Sequence, residues 1–478
     1  MATQRSVPAE ELSRLLGPQA HLGPAYAEIA SGVRALILDG RIALRARLPS
    51  ERRLAFALRV SRTTATAAYD VLREEGFLES RQGSGSTVAL PTGGAVDREL
   101  GGQTREHADE GIDLTAAALP APGAMMEAVD LAARDLAGYL GGSGYDPAGL
   151  RSLRAAVARD FASRGMPTDP EQIVITSGAQ HAVALLLSVL LAPGDRALVE
   201  VPSYPNALEA LRRAGASLVT APMSETWNVR KISSLLRSMR PRLAYLIPDF
   251  HNPTGALMTD ADRAALVTAA ARVGTHLVVD ETFAGLNLEK RSRMPQPMGA
   301  HDRDAVVVTL GSMSKAYWGG LRIGWIRCAV PLARQLARAR SALDLATPVL
   351  EQLIAQHLLA ASRAVLAERR SMLIARRAAL VNALQAEVPH WRFATPRGGL
   401  CLWVDLAGLH TQDLAEAAAH DGVRLVPGTV FGVDGEPSDR VRVPFTQPPE
   451  LLEEAARRLA AADARCRAIP TTNRVAPR

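Results

Sequence analysis

Short runs of β-branched residues alternate with longer runs rich in alanine, leucine and arginine between residues 113 and 464. The short runs are QIVIT, RALVEV, SLVTA, RLAYLI, HLVVD, AVVVTL and LRIGWI. Strands separated by helices of this length are typical of a doubly wound, mainly parallel α/β sheet. After about residue 330, helical runs lead into CLWVDL, VRLVPG and VRVPF, which predict a smaller α+β lobe completed by a segment near residues 113–137.

A different pattern precedes the linker-like stretch at residues 91–112, where apolar periodicity is lost and glycine, proline and charge accumulate. Before it, the chain is helical in pattern and rich in arginine. A first helix is predicted to end at Gly40, and Ser50 and Ser61 each precede a helical pattern as N-caps. The sequence therefore predicts a module at 23–90, a linker at 91–112, a domain at 113–464 and a disordered tail at 465–478.

Composition and charge narrow the class of protein. The 478 residues are 47% hydrophobic and 22% charged, which is typical of a folded chain. No apolar run approaches the roughly 18 residues of a membrane helix, and the N-terminus lacks a secretory-signal pattern. Three widely spaced cysteines favour neither a disulfide framework nor a metal site, so we expect a cytoplasmic protein. The net charge of +6 permits DNA binding without requiring it.

Two short predicted helices begin after Ser50 and Ser61 and are joined by a tight turn. The second opens with Ser-Arg-Thr-Thr, and this geometry places one helix in a DNA major groove. FLESRQGSGSTVAL then predicts two strands around a Gly-Ser-Gly tip, the wing of a winged helix. On helix pattern alone, an arginine-rich subdomain that only packs against the rest is an alternative.

PSERRLA, VSRTTATAAYDVLREEGFL and RQGSGSTV together resemble the winged helix-turn-helix of GntR-type regulators in order and spacing. The resemblance implies double-stranded DNA as a partner. Arginine suits such contacts because its guanidinium can donate two hydrogen bonds to guanine. The implied DNA-binding residues are Ser50, Arg52, Ser61, Arg62, Thr63, Thr64 and Arg81, together with Gly83 and Gly85 at the wing tip.

Lysine is rare in this chain. Only Lys231, Lys290 and Lys315 are lysines among the 55 lysine and arginine residues. Unlike arginine, lysine can lose its proton near neutral pH and attack a carbonyl as an amine. Lys315 stands in SMSK after the predicted strand AVVVTL, with Arg322 seven residues later. Hydroxyls and a guanidinium are suited to binding phosphate. The alternative is a surface lysine without function.

Other predicted strands end in polar residues, at the edge where open α/β sheets bind ligands. VITSGAQ leads into a helix whose first N–H groups suit an anion. HLVVD ends in Asp280, RLAYLIPDFHNPTG carries Asn252, and EVPSYPNA carries Tyr204. Asp280 alone could cap the next helix, but beside a reactive lysine it suits the ring nitrogen of pyridoxal 5'-phosphate.

From about residue 113 to 464 the chain resembles a fold-type I aminotransferase, through YDPAGLRSLR, TSGAQ, VPSY, HNPTG, VVDE, SMSK, LRIGW and RVRVPF in this order. The resemblance implies that Lys315 forms a Schiff base with pyridoxal 5'-phosphate and that Asp280 pairs with the pyridine nitrogen. It also implies that Asn252 contacts the ring hydroxyl and that Tyr204 stacks on the ring.

The same resemblance implies how the phosphate and a carboxylate are bound. The phosphate-binding residues would be Gly178, Ala179, Gln180, Ser312, Ser314 and Arg322, with Tyr145 reaching the phosphate of the other subunit. Arg442 matches the arginine that holds a substrate carboxylate, and Arg440 is its nearest competitor. In many relatives the residue three after the aspartate is a tyrosine, whereas here it is Phe283, which weakens the case for efficient turnover.

A GntR-type winged helix joined to an aminotransferase-like domain resembles the MocR subfamily of bacterial regulators. The resemblance implies a head-to-tail homodimer whose effector is an amino compound or pyridoxal 5'-phosphate itself. The first hypothesis is therefore a transcription regulator that senses this ligand through Lys315 and controls DNA binding. The alternatives are a working aminotransferase with an accessory DNA-binding module and, less favoured, a scaffold for dimerisation without cofactor.

Overall fold

The protein was analysed as a computed structural model, which describes residues 6–16, 25–38, 42, 46–81, 85–89, 111–289, 293–433 and 438–468. The chain divides into two compact units, Met1–Glu106 and His107–Arg478. The predictions made for Gly40, Gly83, most of the linker and residues 469–478 lie outside the described residues.

The N-terminal unit combines helices with a two-stranded wing. Its helices are α1 (Ala9–Leu16), α2 (Ala25–Leu38), α3 (Glu51–Leu58) and α4 (Arg62–Glu74). The wing pairs β1 (Leu78–Arg81) antiparallel with β2 (Gly85–Val88). Leu12 of α1 is fully buried in one core with Val33, Leu54 and Leu72. The unit therefore includes a helix that lies before the predicted boundary at residue 23.

The turn between α3 and α4 lies where the sequence places it. Ser61 caps α4, because its hydroxyl accepts a hydrogen bond from the Thr64 N–H at 3.0 Å. Ser50 occupies the N-cap position of α3, but its hydroxyl makes no side-chain cap. Gly85 pairs with Arg81 in the wing ladder rather than lying at the tip, because the ladder extends one pair beyond the predicted strands.

The C-terminal unit opens with β3 (Ile112–Asp113) and is built around a seven-stranded sheet. The strands of this sheet are β4 (Ile173–Thr176), β5 (Arg196–Val201), β6 (Ser217–Pro222), β7 (Leu243–Leu246), β8 (His276–Asp280), β9 (Val307–Ser312) and β10 (Gly324–Arg327). Their spatial order is β4-β10-β9-β8-β7-β5-β6. β10 is antiparallel to both neighbours and the remaining pairs are parallel. The predicted mainly parallel α/β fold is confirmed.

Helices cover both faces of the sheet, because consecutive residues of β5 pack into different apolar clusters. The helices of this unit are α5 (Met125–Leu136), α6 (Arg151–Ser163), α7 (Ala179–Leu190), α8 (Pro205–Arg213), α9 (Val229–Met239), α10 (Asp260–Ala271), α11 (Val330–Ala339), α12 (Val349–Ala360), α13 (Ser362–Glu387), α14 (Thr411–His420) and α15 (Pro449–Ala468). Ala197 and Val199 pack with residues of α7, α8 and α11, whereas Leu198 packs with residues of α9 and α10. Strands buried on both faces explain the continuous apolar runs in the sequence.

A smaller lobe follows the sheet in the chain. β11 (Cys401–Asp405) pairs antiparallel with β13 (Arg440–Pro444), and the two-residue β12 (Val423–Arg424) pairs parallel with β3. α15 includes the first four residues of the predicted tail, because Cys466 is buried and Arg467 pairs with Asp463 at 2.8 Å. Within the described ranges, no helix has the length and apolar character needed to cross a membrane.

Candidate functional site

Residues that follow neighbouring strands of the sheet line one cavity of about 140 Å³. The carboxyl ends of β4, β5, β7, β8 and β9 lie at the same edge, because these strands run in one direction. The predicted residues that line the cavity are Ala179, Gln180, Tyr204, Asn252, Asp280, Ser312, Ser314, Lys315 and Arg322. Ile247, Thr282 and Phe283 complete the lining. Gly178 directly precedes α7, whereas Tyr145 is 68% exposed and does not line this cavity.

The amine of Lys315 lies inside the protein and is held by a main-chain carbonyl. Its Nζ donates to the Ala117 oxygen at 2.9 Å and lies 5.7 Å from the centre of the Phe283 ring. Burial and, after it, the Arg442 guanidinium lower the pKa of Lys315, while the Asp280 carboxylate acts in the opposite direction. The lowered pKa favours the neutral amine, which is the nucleophilic form.

Asp280 is a buried carboxylate with both oxygens in hydrogen bonds. The Tyr245 hydroxyl donates to Oδ2 at 2.6 Å, and the Thr282 N–H donates to Oδ1 at 2.9 Å. Burial first, and then the Asp280 charge, raise the pKa of Tyr245, so the phenol keeps its proton. Tyr245 was not predicted as a site residue, although it is the one hydroxyl-bearing residue in the apolar run RLAYLI. Asp280 is thus fixed at the cavity edge rather than capping a helix.

A second group of residues around the cavity supplies hydrogen-bond donors. α7 starts after Gly178 without a side-chain cap, and the Ser312 hydroxyl donates to that of Ser314 at 3.0 Å. Arg322 donates from Nη2 to the Ser177 oxygen at 3.0 Å. Gly178 has a φ of 89°, and a Cβ there would lie 2.5 Å from Arg322 Nη2. Another residue would strain the backbone at this positive φ, and its Cβ would require the arginine to move.

The remaining polar residues of the cavity form a chain of contacts. Tyr204 accepts a hydrogen bond from Asn206 Nδ2 at 3.0 Å, and burial followed by the Asp280 charge raises the pKa of Tyr204. Gln180 Nε2 donates to the main-chain oxygen of Asn206 at 3.1 Å. The buried Gln180 Oε1 accepts no hydrogen bond from the residues that the structure describes. Such a group is available to a ligand, because buried polar atoms are normally paired.

Arg442 and Arg440 compete in sequence for the role of carboxylate-binding residue, and the structure separates them. Arg442 is buried and donates from Nη1 to Asn252 Oδ1 at 3.3 Å and from Nη2 to the Thr115 oxygen at 2.6 Å. Its Nε has no partner among the described residues. Arg440 is more exposed and faces Asp405 at 3.7 Å. Arg442 is therefore the arginine that lies next to a cavity residue.

In the N-terminal unit, predicted DNA-binding residues cluster at the start of α4. The Ser61 hydroxyl lies 2.7 Å from those of Thr63 and Thr64. Arg62 and Arg52 are exposed. Arg81 is the last residue of β1, and Gly85 is the first residue of β2.

Comparison with known proteins agrees with both units. Residues 111–459 match the family described as aminotransferase class I and II, and residues 25–88 match bacterial regulatory proteins, gntR family. An uncharacterized HTH-type transcriptional regulator of Bacillus subtilis, YisV, is 29% identical, over 88% of this chain and 92% of its own length. The probable rhizopine catabolism regulatory protein MocR of Rhizobium meliloti is 30% identical, over 66% of this chain and 68% of its own length.

A solved structure with a similar fold is that of LysN, the alpha-aminoadipate aminotransferase of Thermus thermophilus, complexed with N-(5'-phosphopyridoxyl)-L-leucine. It is 31% identical and covers 76% of this chain and 95% of its own, with a TM-score of 0.69. The chain therefore belongs to the aminotransferase class I and II family and carries a gntR-family winged helix-turn-helix before it, the domain combination of the MocR subfamily of regulators.

Proposed function

We propose that this protein is a transcription regulator that binds DNA through its N-terminal unit and pyridoxal 5'-phosphate through Lys315. The observation that carries the proposal is the cavity, which gathers a buried amine, a buried acid and an anion-binding edge in a chain that also has a gntR-family unit. A metabolic enzyme has no need of a winged helix, so the combination favours regulation by a ligand. Because DNA is the target, the proposal places the protein in the bacterial cytoplasm.

The residues of the cavity fit this cofactor part by part. Pyridoxal 5'-phosphate supplies an aldehyde that condenses with primary amines and a ring that withdraws electrons. Lys315 provides the amine, and Asp280 can hold a proton at the ring nitrogen. The N-terminus of α7, the two serine hydroxyls and Arg322 can bind a phosphate. Tyr204 offers an aromatic face, and Asn252 offers an amide to the ring substituents.

An effector carboxylate is proposed to bind Arg442, at the boundary between the cavity and β13 of the smaller lobe. A ligand shifts a conformational equilibrium only by its difference in affinity for the two states. Contact with both the sheet and the smaller lobe gives a ligand that preference. We further propose that the protein acts as a head-to-tail homodimer, with Tyr145 reaching the partner's phosphate, so that a change within the subunits alters the spacing of the DNA-binding units.

A second candidate function is transamination, favoured by the similarity to LysN. Phe283 weighs against it, because this buried side chain lines the cavity without a phenol to tune the cofactor. The two functions differ in turnover. Steady conversion of an amino acid to its keto acid at about 1 per second or more would favour the enzyme. A DNA affinity that changes when pyridoxal 5'-phosphate is added, without such turnover, would favour the regulator.

Replacing Arg62 with alanine is expected to weaken binding to the protein's own upstream DNA by about 1–3 kcal/mol, roughly 5- to 150-fold. The reason is that an exposed arginine at the start of a recognition helix can contact base edges. Fluorescence anisotropy at fixed moderate salt measures the change. Arg334→Ala, at an exposed position of α11, is the matched control. Equal affinity of both variants for this DNA would show that α4 does not read it.

Replacing Arg442 with methionine is expected to raise the pKa of Lys315, because the guanidinium is one of the groups that lower it. A higher pKa leaves less neutral amine at a given pH. The rate at which added pyridoxal 5'-phosphate gives a yellow protein should therefore reach half its maximum at a higher pH. Arg440→Met is the control, since Arg440 lies two residues away and faces Asp405. A midpoint that stays constant or falls would contradict the electrostatic coupling.

A further inference from the structure

Residues 113–120, DLTAAALP, enter the C-terminal unit directly after the sequence that links it to the N-terminal unit; we refer to them as the entry segment. Side chains of the C-terminal unit hold this segment by its main-chain carbonyls. The donors are Gln447 to Asp113 (3.1 Å), Arg442 to Thr115 (2.6 Å), Thr446 to Ala116 (3.4 Å), Lys315 to Ala117 (2.9 Å) and Arg369 to Pro120 (2.5 Å). Two of these donors are the groups assigned above to the cofactor and to the effector carboxylate.

We propose that the entry segment is an internal competitor for the ligand site. Its Thr115 and Ala117 carbonyls occupy Arg442 and Lys315, and ligands release the segment by taking these donors. The inference rests on the proposed function. It explains how ligand binding in the cavity can affect the linker through the entry segment. It requires no contact between the two units, because the segment and the linker are continuous in sequence.

The contact with Arg442 conflicts with a bound carboxylate. A guanidinium presents two edges to a carboxylate, one formed by Nε and Nη2 and the other by Nη1 and Nη2. Each edge uses a different one of the two Nη2 hydrogens, and the Thr115 oxygen takes one of them at 2.6 Å. A carboxylate that binds through the edge containing that hydrogen competes directly with the Thr115 carbonyl for Arg442. The charged oxygen is the stronger acceptor, so it displaces the carbonyl, and the unpaired Nε offers the carboxylate a further donor.

Reaction of Lys315 with the cofactor aldehyde removes its hydrogen bond to the Ala117 oxygen. When the neutral Lys315 amine condenses with an aldehyde, a C=N bond forms and the aldehyde oxygen leaves as water with both amine hydrogens. The nitrogen then has no hydrogen for the Ala117 oxygen unless it gains a proton, and it is bonded to the cofactor carbon. Ala117 is buried, and a buried carbonyl without a partner is unfavourable. Movement of the segment away from this position is therefore favourable, because it lets the Ala117 carbonyl find another partner.

The two ends of the segment remain attached while its middle is released. The Ile112 N–H donates to the Gly422 oxygen, just before β12, and the Leu114 N–H donates to the Arg424 oxygen in β12. At the other end, the buried Arg369 binds Pro120 and also the carbonyls of Ala316 and Tyr317, beside Lys315. The segment thus spans from the smaller lobe to the loop that carries the reactive amine. Loss of its central bonds loosens residues 115–119, so β3, where the linker arrives, can follow the smaller lobe rather than the loop that carries Lys315.

Hydrogen–deuterium exchange of the full-length protein tests the proposal. The cofactor-free protein is compared with protein saturated with pyridoxal 5'-phosphate and with protein saturated with N-(5'-phosphopyridoxyl)-L-leucine, which also carries a carboxylate. Exchange in peptides spanning 113–119 should accelerate about 10-fold or more with either ligand, while peptides of α15 stay unchanged. Unchanged or slower exchange at 113–119 in protein saturated with ligand would overturn the entry-segment proposal and leave the proposed function standing. A protein that binds neither ligand would overturn both.

Thr446→Val provides a second test that leaves Lys315 and Arg442 intact. The substitution removes the bond to the Ala116 oxygen, in the middle of the segment, so ligand binding has less to displace. The apparent dissociation constant for pyridoxal 5'-phosphate should fall by roughly 2- to 5-fold, the equivalent of one weak hydrogen bond. Thr268→Val is the control, because that exposed threonine donates to Ala264 within α10. A dissociation constant for Thr446→Val that equals or exceeds that of the control would overturn the proposal.

Discussion

Protein in which Lys315 is replaced by alanine is expected to lose its yellow colour in the presence of pyridoxal 5'-phosphate. The amine is the nucleophile that bonds the aldehyde, and burial lowers its pKa, which favours the neutral form. Lys315→Arg should lose the colour as well, because arginine keeps the positive charge but cannot act as an amine nucleophile. Absorbance of the dialysed protein measures the result, and borohydride reduction followed by peptide mass analysis locates the bond.

Lys231→Ala is the matched control for Lys315→Ala. Lys231 is exposed near the start of α9, where its main-chain N–H is bonded to Asn228. Its replacement should leave both the absorbance and the labelled peptide unchanged. Retention of the yellow colour by Lys315→Ala would mean that another group bonds the cofactor, and the cavity would lose its assigned role.

Arg263→Ala is expected to destabilise the C-terminal unit by about 3–5 kcal/mol. Arg263 is fully buried, and its Nη2 lies 2.6 Å from Oδ1 of Asp249, which is also buried. The remaining N–H groups donate to the carbonyls of Met258, Pro248 and Gln296. Removing the guanidinium leaves the Asp249 charge without its partner inside the protein. Because Asp249 lies three residues before Asn252, we expect the cavity to loosen as well.

Urea unfolding followed by tryptophan fluorescence measures this effect. All five tryptophans lie in the C-terminal unit, so the signal reports on that unit alone. Arg213→Ala is the control, because Arg213 forms an exposed ion pair with Glu209 within α8. Such pairs contribute about 0–1 kcal/mol, so the control should resemble the unaltered protein. A similarly small change for Arg263→Ala would show that Asp249 can be solvated or protonated at little cost.

The edge of the sheet and most of the cavity could be predicted because the local pattern carries the information. Apolar runs place the strands, and the polar residues after each run fall at one edge once the strands are parallel. Lys315, Asp280 and Asn252 meet for this reason. The choice between Arg442 and Arg440 needed the structure, because alternate residues of a strand face the same way. Their partners separate them, since Arg442 donates to Asn252 whereas Arg440 faces Asp405.

Contacts between distant segments could not be predicted, because they have no local pattern. The hydroxyl of Tyr245 in β7 donates to Asp280 in the neighbouring strand β8, and the pairing of those strands depends on the tertiary structure. The carbonyls of the entry segment are main-chain atoms that every residue has, so no side chain marks them. The absence of a side-chain cap at Ser50 could not be predicted either, because a serine before a helix can turn its hydroxyl to solvent.

The order of the strands has a consequence for synthesis of the chain. β4 is the first strand of the sheet to leave the ribosome, yet its partner is β10, the last, and five other strands are translated between them. An unpaired strand edge is open to pairing with other chains, and contacts distant in sequence form slowly. The N-terminal unit, by contrast, has all its described partners within residues 6–89. The DNA-binding unit can therefore complete its core during translation, while the edge of β4 is protected only after Gly324–Arg327 has emerged.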